Sequence, residues 1–187
     1  MHQDNWSLKA KKLGYRSRAV FKLEEILLKL HKNQINKVLD LGSAPGGWSQ
    51  FIINKYPHSK IIAVDILHME PIDGVQFIKK NIEDIDSIQL INSQKGKFDL
   101  VISDIAPNIT GISAVDNENI YELNKITINL ANIYLSEVNS AVVIKTFQNN
   151  NFKSLKKEME LFFKIVQTYK PAASKNKSAE TYLYGAR

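Results

Sequence analysis

The chain has 187 residues, 44% hydrophobic and 24% charged, a balance that excludes a mostly disordered chain and predicts one domain with an ordinary core. It has no cysteine, and its four histidines (His2, His31, His58, His68) lack ligand spacing, so disulfides, thiol nucleophiles and Cys-based metal sites are excluded and no metal is expected. The net charge of +6 is segregated, with nine Lys/Arg against three Asp/Glu in residues 1–37, eleven against fifteen in 38–163 and five against one in 164–187; basic ends around an acidic middle suggest a surface that meets a polyanion, nucleic acid first.

The N-terminal residues MHQDNWSLKAKK carry no apolar stretch of the kind a signal peptide needs, and apolar runs elsewhere are short, so a soluble, cytoplasmic protein without a membrane span is expected. Residues 21–30 (FKLEEILLKL) have apolar positions at helical spacing, and 37–41 (KVLDL) read as a buried strand turning at Gly42. A helix over 47–56 and a strand over 60–65 (KIIAVD) follow, then a weaker strand at 75–78. Residues 98–104 (FDLVISD) form a strong strand that closes on the turn signal Ala106-Pro107-Asn108. Helical periodicity over 117–137 leads to a strand at 141–147 (AVVIKTF) and a helix at 152–163, where Leu155, Met159 and Phe162-Phe163 read as core. Two β-rich stretches, 164–170 and 181–186, lie close enough in sequence to pair. This alternation predicts an α/β fold whose sheet is mostly parallel, with helices on both faces. No internal repeat or coiled-coil pattern is present, and a monomer is the default expectation.

In such a sheet, ligands bind beyond the carboxyl ends of the strands. Asp40, Asp65, Asp104 and Lys145 all fall at or near those ends, where a buried charge is costly unless paired or in use. The first strand runs into DLGSAPGGW (residues 40–48), whose glycines allow a tight turn and a close backbone approach to a ligand. The spacing matches neither the dinucleotide fingerprint G-x-G-x-x-G nor a P-loop, so an NAD-dependent oxidoreductase is disfavoured. Asp65 lies 23 residues past Gly42, close to the offset at which an acidic residue meets ribose hydroxyls. The expected ligand is an adenosine-type nucleoside without an obligatory pyrophosphate, a description that S-adenosylmethionine fits. A second constellation is Lys22, Asp104, Lys145 and Glu180. Lysine is rarely buried, yet Lys145 sits inside an apolar strand; a second cation and partial desolvation are the conditions under which an amine becomes a base. Periodicity alone does not bring the four together.

Four motifs, YRSRAVFKL (15–23), DLGSAPGGWSQ (40–50), SDIAPN (103–108) and VIKTFQ (143–148), resemble the FtsJ/RrmJ (RlmE) family in the family's order. The resemblance implies a Rossmann-like methyltransferase fold, with a seven-stranded, mostly parallel sheet and a C-terminal antiparallel pair. It implies S-adenosyl-L-methionine as cofactor and 2′-O-methylation of a ribose, a uridine, in large-subunit ribosomal RNA. Transfer RNA and mRNA-cap substrates also occur in the family, and a non-catalytic RNA-binding assembly factor on the same scaffold is a further alternative. The family's catalytic tetrad falls on Lys22, Asp104, Lys145 and Glu180, and its cofactor positions on Gly46, Trp48, Asp65, Asn81 and Asp104. Asn81 is a departure, since the family commonly has Asp there; its amide keeps an acceptor but adds donors and loses a charge. The whole chain is expected to form one methyltransferase domain, with residues 1–20 a basic segment facing RNA and Lys170, Lys175 and Lys177 extending that surface. Trp6 reads as a loose core anchor and is assigned no functional role.

Overall fold

The computed structural model describes residues 5–30, 34–107, 110–175 and 178–187. Asn108 and Lys177, both singled out by the sequence, lie outside the described residues.

Seven strands join one sheet in the order β3-β2-β1-β4-β5-β7-β6. They are β1 Lys37–Leu41, β2 Lys60–Asp65, β3 Val75–Lys79, β4 Leu100–Ser103, β5 Ala141–Phe147, β6 Ile165–Tyr169 and β7 Glu180–Ala186. β1 to β5 are mutually parallel, and β7 runs antiparallel between β5 and β6. The C-terminal antiparallel pair is therefore present, with β7 as the strand that attaches β6 to the rest. Helices α1 (Asn5–Lys12), α2 (Ala19–Lys29) and α3 (Gly47–Lys55) precede β2; a 3-10 turn at Ile82–Ser87 and α4 (Gln89–Asn92) follow β3; α5 (Ser113–Tyr134) and α6 (Phe152–Glu160) flank β5.

Strand side chains alternate between two cores, as the period of two requires. Val38, Ile102, Val143 and Tyr182 pack with Leu23, Ile26, Trp48 and Ile52 on one face. Leu39, Val101, Val142, Ile144 and Leu183 pack with Ile85, Ile128, Ala131 and Met159 on the other. Both faces of the sheet are thereby covered, which explains why the central strands carry apolar residues on both sides instead of alternating, with Asp40, Ser103, Lys145 and Thr146 confined to their carboxyl ends.

Three elements differ from the sequence expectation. α1 is not expected as a helix, because its apolar positions are few; Ala10 is buried, and Trp6, expected as a loose core anchor, lies against Phe21 with ring centroids 5.2 Å apart. The helical stretch from Ile82 to Asn92 was missed because it is short and isoleucine-rich, and its Ile82, Ile85 and Ile91 supply core. β4 is shorter than expected at both ends. Phe98 bridges instead to Leu135, and Asp104 lies just past the ladder, free to turn its carboxylate towards neighbouring strands. No helix among the described residues is long and apolar enough to cross a membrane.

Candidate active site

The carboxyl end of the sheet is built in two halves that meet at Asp104. Over β1 and β2, Gly42 turns the chain with φ +72, and a Cβ there would lie 2.0 Å from the Ile105 side chain, so only glycine lets these two loops close on each other. The next loop residues lead to Gly46, in the left-handed region at φ 101, which starts α3. Asp65, at the end of β2, fixes this loop by accepting from the Ala44 amide at 2.8 Å through one oxygen and from the Leu67 amide at 2.8 Å through the other. A cavity of about 360 Å³ opens here, lined by Gly42, Ala44, Asp65, Asn81 and Asp104, with apolar walls from Ile66, Leu67, Ile82, Ile105, Ala106, Pro107 and Leu123. Its size and its mixture of apolar walls with a few convergent polar groups suit a small nucleoside. The Ser43 hydroxyl is buried beside it in the same loop without a hydrogen-bond partner among the described residues, a polar atom of the kind a bound ligand satisfies.

Not every expected cofactor position faces that cavity. Asp65, Asn81 and Asp104 do. Asn81 also caps the 3-10 turn, accepting from the Glu83 amide at 3.2 Å, so its carbonyl is already engaged locally. Gly46 and Trp48 are not among the lining residues. Trp48 is buried, donates its indole N–H to the Ala19 carbonyl at 2.8 Å and lies 5.9 Å from the Tyr182 ring. It ties α2, and with it Lys22, to the start of α3 beside the cavity.

Beneath the loop, Asp40 is 1% exposed and receives the Ser49 hydroxyl at 2.6 Å. Burial pushes its carboxyl up to about 7 in spite of the Ser49 hydrogen bond, and the charges of Asp104 and Asp65 add to the rise.

The second half brings Lys22, Asp104, Lys145 and Glu180 together from four distant stretches of chain. Lys22, 6% exposed on α2, meets Glu180 at the start of β7 at 2.6 Å. Lys145 on β5 reaches the Asp104 carboxylate at 3.2 Å and donates to the Asp104 carbonyl at 2.6 Å. β7 pairs with β5 so that Tyr182 stands opposite Lys145 and Glu180 opposite Phe147. Tyr182 links the two ion pairs: its hydroxyl donates to Asp104 at 3.0 Å, and the Lys22 ammonium lies 5.8 Å from its ring centre. Burial and the charges of Asp104 and Glu180 raise the Tyr182 phenol well above its ordinary value, so it acts as a neutral donor. Burial also pushes Glu180 up, but hydrogen bonding and charge from Lys22, the Ser174 hydroxyl at 2.9 Å and the Lys145 charge together bring it below the ordinary range. Sequence reading missed Tyr182 and Ser174; the alternation that puts Glu180, Tyr182 and Tyr184 on one face of β7 was the available signal. Among the described residues, no cluster of metal-ligating side chains is present.

Chemically, the arrangement offers a nucleoside cavity on one side of Asp104 and a desolvated Lys–Asp–Tyr–Lys–Glu network on the other. The model of the FtsJ-like methyltransferase family matches residues 15–187. The chain belongs to that family. Relatives of this FtsJ-like chain include the ribosomal RNA large subunit methyltransferase E of Wigglesworthia glossinidia brevipalpis, 40% identical over 97% of this chain and 90% of that protein. The protein of the same name from Polaromonas naphthalenivorans is 38% identical over 97% of this chain and 80% of its own length. Among solved structures, a protein described as a ribosomal RNA methyltransferase from Plasmodium falciparum superposes with a TM-score of 0.75 at 30% identity, covering 92% of this chain and 98% of that one.

Proposed function

We propose that this FtsJ-like chain methylates the 2′-hydroxyl of a ribose, a uridine, in large-subunit ribosomal RNA, working as a cytoplasmic monomer. One domain spans residues 1–187, with residues 1–20 as its basic approach. The observation that carries this reading is the position of Asp104, which lines the nucleoside-sized cavity and also holds Lys145. The group that delivers the methyl and the group that handles the acceptor hydroxyl then share one wall.

S-adenosylmethionine, bound in the cavity, supplies a sulfonium-activated methyl. Asp65 and Asn81 would hold its ribose and adenine, as their place on the cavity wall allows. Lys145 donates one N–H to the Asp104 carbonyl and lies against its carboxylate, which leaves the substrate hydroxyl to be oriented by a remaining N–H of the ammonium, or deprotonated by the lone pair of the neutral amine. Asp104 and Tyr182 fix Lys145 in place, and the Lys22–Glu180 pair closes the network from the other side. Such positioning supplies much of the rate when the transferred group is already activated. Lys11 and Lys12 on α1, with Lys170 and Lys175, are exposed and available to phosphate. The relatives named as ribosomal RNA large subunit methyltransferases favour ribosomal RNA over tRNA as the substrate.

The test is transfer of labelled methyl to large ribosomal subunits, naked rRNA and tRNA in parallel, with alkali-resistant ribose methylation as the product assay. Label is expected on subunits or rRNA. Lys145→Ala is expected to lose about 10²- to 10⁴-fold in rate, the contribution of a positioned acid–base group, while S-adenosylhomocysteine still binds. Label on tRNA alone would overturn the substrate, and unchanged turnover in the variant would overturn the assignment of Lys145.

A further inference from the structure

The cations of the N-terminal segment form one group in the sequence, but the structure divides them. The Lys9 ammonium lies over aromatic rings, 5.2 Å from the centre of Trp6 and 4.6 Å from that of Phe21. Lys11 and Lys12 are exposed. Arg16 is half-buried, and its guanidinium donates at the surface to backbone oxygens from two separate loops. Nη1 donates to the Pro45 carbonyl at 3.1 Å and to the Glu70 carbonyl at 2.6 Å, while Nη2 donates to the Pro71 carbonyl at 2.7 Å.

Pro45 lies in the loop between β1 and α3; Glu70 and Pro71 lie in the loop that leaves β2 beyond Asp65. These are two of the loops that line the cavity. The segment that carries Arg16 is itself stitched to α3: the Arg16 amide donates to the Gln50 side chain at 3.0 Å, and Gln50 donates back to the Gly14 carbonyl at 2.9 Å. Gly46 shows how closely the parts fit. A Cβ there would lie 2.8 Å from Ile72, 2.9 Å from the buried Met69 sulfur and 3.1 Å from Arg16 Nη1. A planar fork can hold several carbonyls at once, which a lysine ammonium on a flexible stem does not reproduce.

We propose that Arg16 is a positioning residue for the cofactor cavity, a strut that holds the Pro45 loop and the Glu70–Pro71 loop at a fixed separation, and not a contact to RNA phosphate. The proposal rests on the reading of the cavity as the S-adenosylmethionine site. It makes the basic N-terminal segment bifunctional: Lys11 and Lys12 face the nucleic acid, while Arg16, a few residues on, sets the shape of the cofactor site.

Three measurements on Arg16→Ala, Arg16→Lys and a Lys11→Ala/Lys12→Ala double variant test it. Amide hydrogen exchange on the protein alone needs no ligand; both Arg16 variants are expected to exchange faster at residues 42–47 and 69–72, with the β4–β5 core unchanged. Calorimetric titration with S-adenosylhomocysteine is expected to show roughly tenfold or greater loss of affinity in Arg16→Ala, the size of a lost charge-assisted hydrogen bond, and no rescue in Arg16→Lys. Binding of an unmodified large-subunit rRNA transcript across a salt series is expected to keep its slope in both Arg16 variants and to lose about one unit of slope per lysine in the double variant, whose S-adenosylhomocysteine affinity stays at wild type. Wild-type loop exchange in Arg16→Ala, or rescue of cofactor affinity by Arg16→Lys, overturns the strut. A wild-type protein that binds no S-adenosylhomocysteine instead overturns the reading of the cavity, while the exchange result still decides the strut.

Discussion

The two halves of the carboxyl edge solve the problem of buried charge in opposite ways. In the half that holds the cavity, the proposed cofactor half, carboxylates are satisfied by groups close in the chain or by backbone: Asp65 by the amides of Ala44 and Leu67, and Asp40 by Ser49. In the half that holds the lysines, the proposed catalytic half, charges satisfy one another across long separations, Lys22 with Glu180 and Lys145 with Asp104, with Tyr182 between them. The two designs leave opposite marks on their acids. Asp40, buried without a cation, is pushed up to about 7, whereas Glu180, buried against Lys22, is brought below its ordinary value. Backbone amides and a hydroxyl shape a loop without fixing its charge state; a cation fixes the charge state but must be delivered from elsewhere in the fold.

The largest effect that would sharpen this contrast comes from the catalytic half. Glu180→Ala leaves the Lys22 ammonium, 6% exposed, without its partner, and breaking one side of a buried pair costs about 3–5 kcal/mol. Urea unfolding should show that loss, and the double variant Lys22→Met/Glu180→Leu should recover most of it while remaining inactive. Equal stability in Glu180→Ala and wild type would mean that the pair is no more coupled than a surface contact.

In the cofactor half, the sensitive element is backbone. Gly42→Ala places a Cβ against Ile105 at positive φ and is expected to cost about 1–3 kcal/mol together with S-adenosylhomocysteine affinity. Adding Ile105→Ala should relieve the overlap but leave the dihedral strain, so a partial recovery in thermal melting is the expected signature. Full recovery would assign the whole effect to packing.

The smallest effect is a slope. Because the folded Asp40 keeps its proton up to about pH 7 while the unfolded chain releases it near 3.8, the native state binds more protons across that window. Its stability contribution is therefore complete below 3.8 and is lost as pH rises towards 7, at up to about 1.4 kcal/mol per pH unit. Asp40→Asn, which can still accept from Ser49, should flatten the stability profile between pH 4 and 7. Glu180 has the opposite sign: its contribution is present above the ordinary carboxylate range and is lost as pH falls through its lowered value. An unchanged slope in Asp40→Asn would erase the contrast between the two acids.

The same division explains what the sequence made legible. The sheet, its two covered faces and the nucleoside cavity followed from short apolar strands and from Gly42 and Asp65 at a readable spacing, because those features are local. That Lys22, Asp104, Lys145 and Glu180 meet depends on where β7 inserts, which no spacing reveals; family resemblance supplied it. Tyr182 went unnoticed for the same reason, being an ordinary strand aromatic until its register opposite Lys145 is known. Arg16 was grouped with its charged neighbours because composition does not record which way a side chain turns. Trp48 is expected at the cofactor; its indole donates to the carbonyl of Ala19, while the residue lines a small cleft with Gly42, Ser43 and Asp104 beside the cavity.

The position of β7 has a consequence for how the molecule comes into being. Residues 165–169 are made before 180–186, yet β6 has no place in the sheet until β7 has docked against β5. Until then a growing chain presents the apolar β5 as an open edge, the kind of surface that recruits neighbouring chains. The same docking event brings Glu180 to Lys22, 158 residues earlier, and Tyr182 to Asp104. The same strand pairing thus covers the apolar edge of β5 and completes the network of Lys22, Asp104, Lys145 and Glu180.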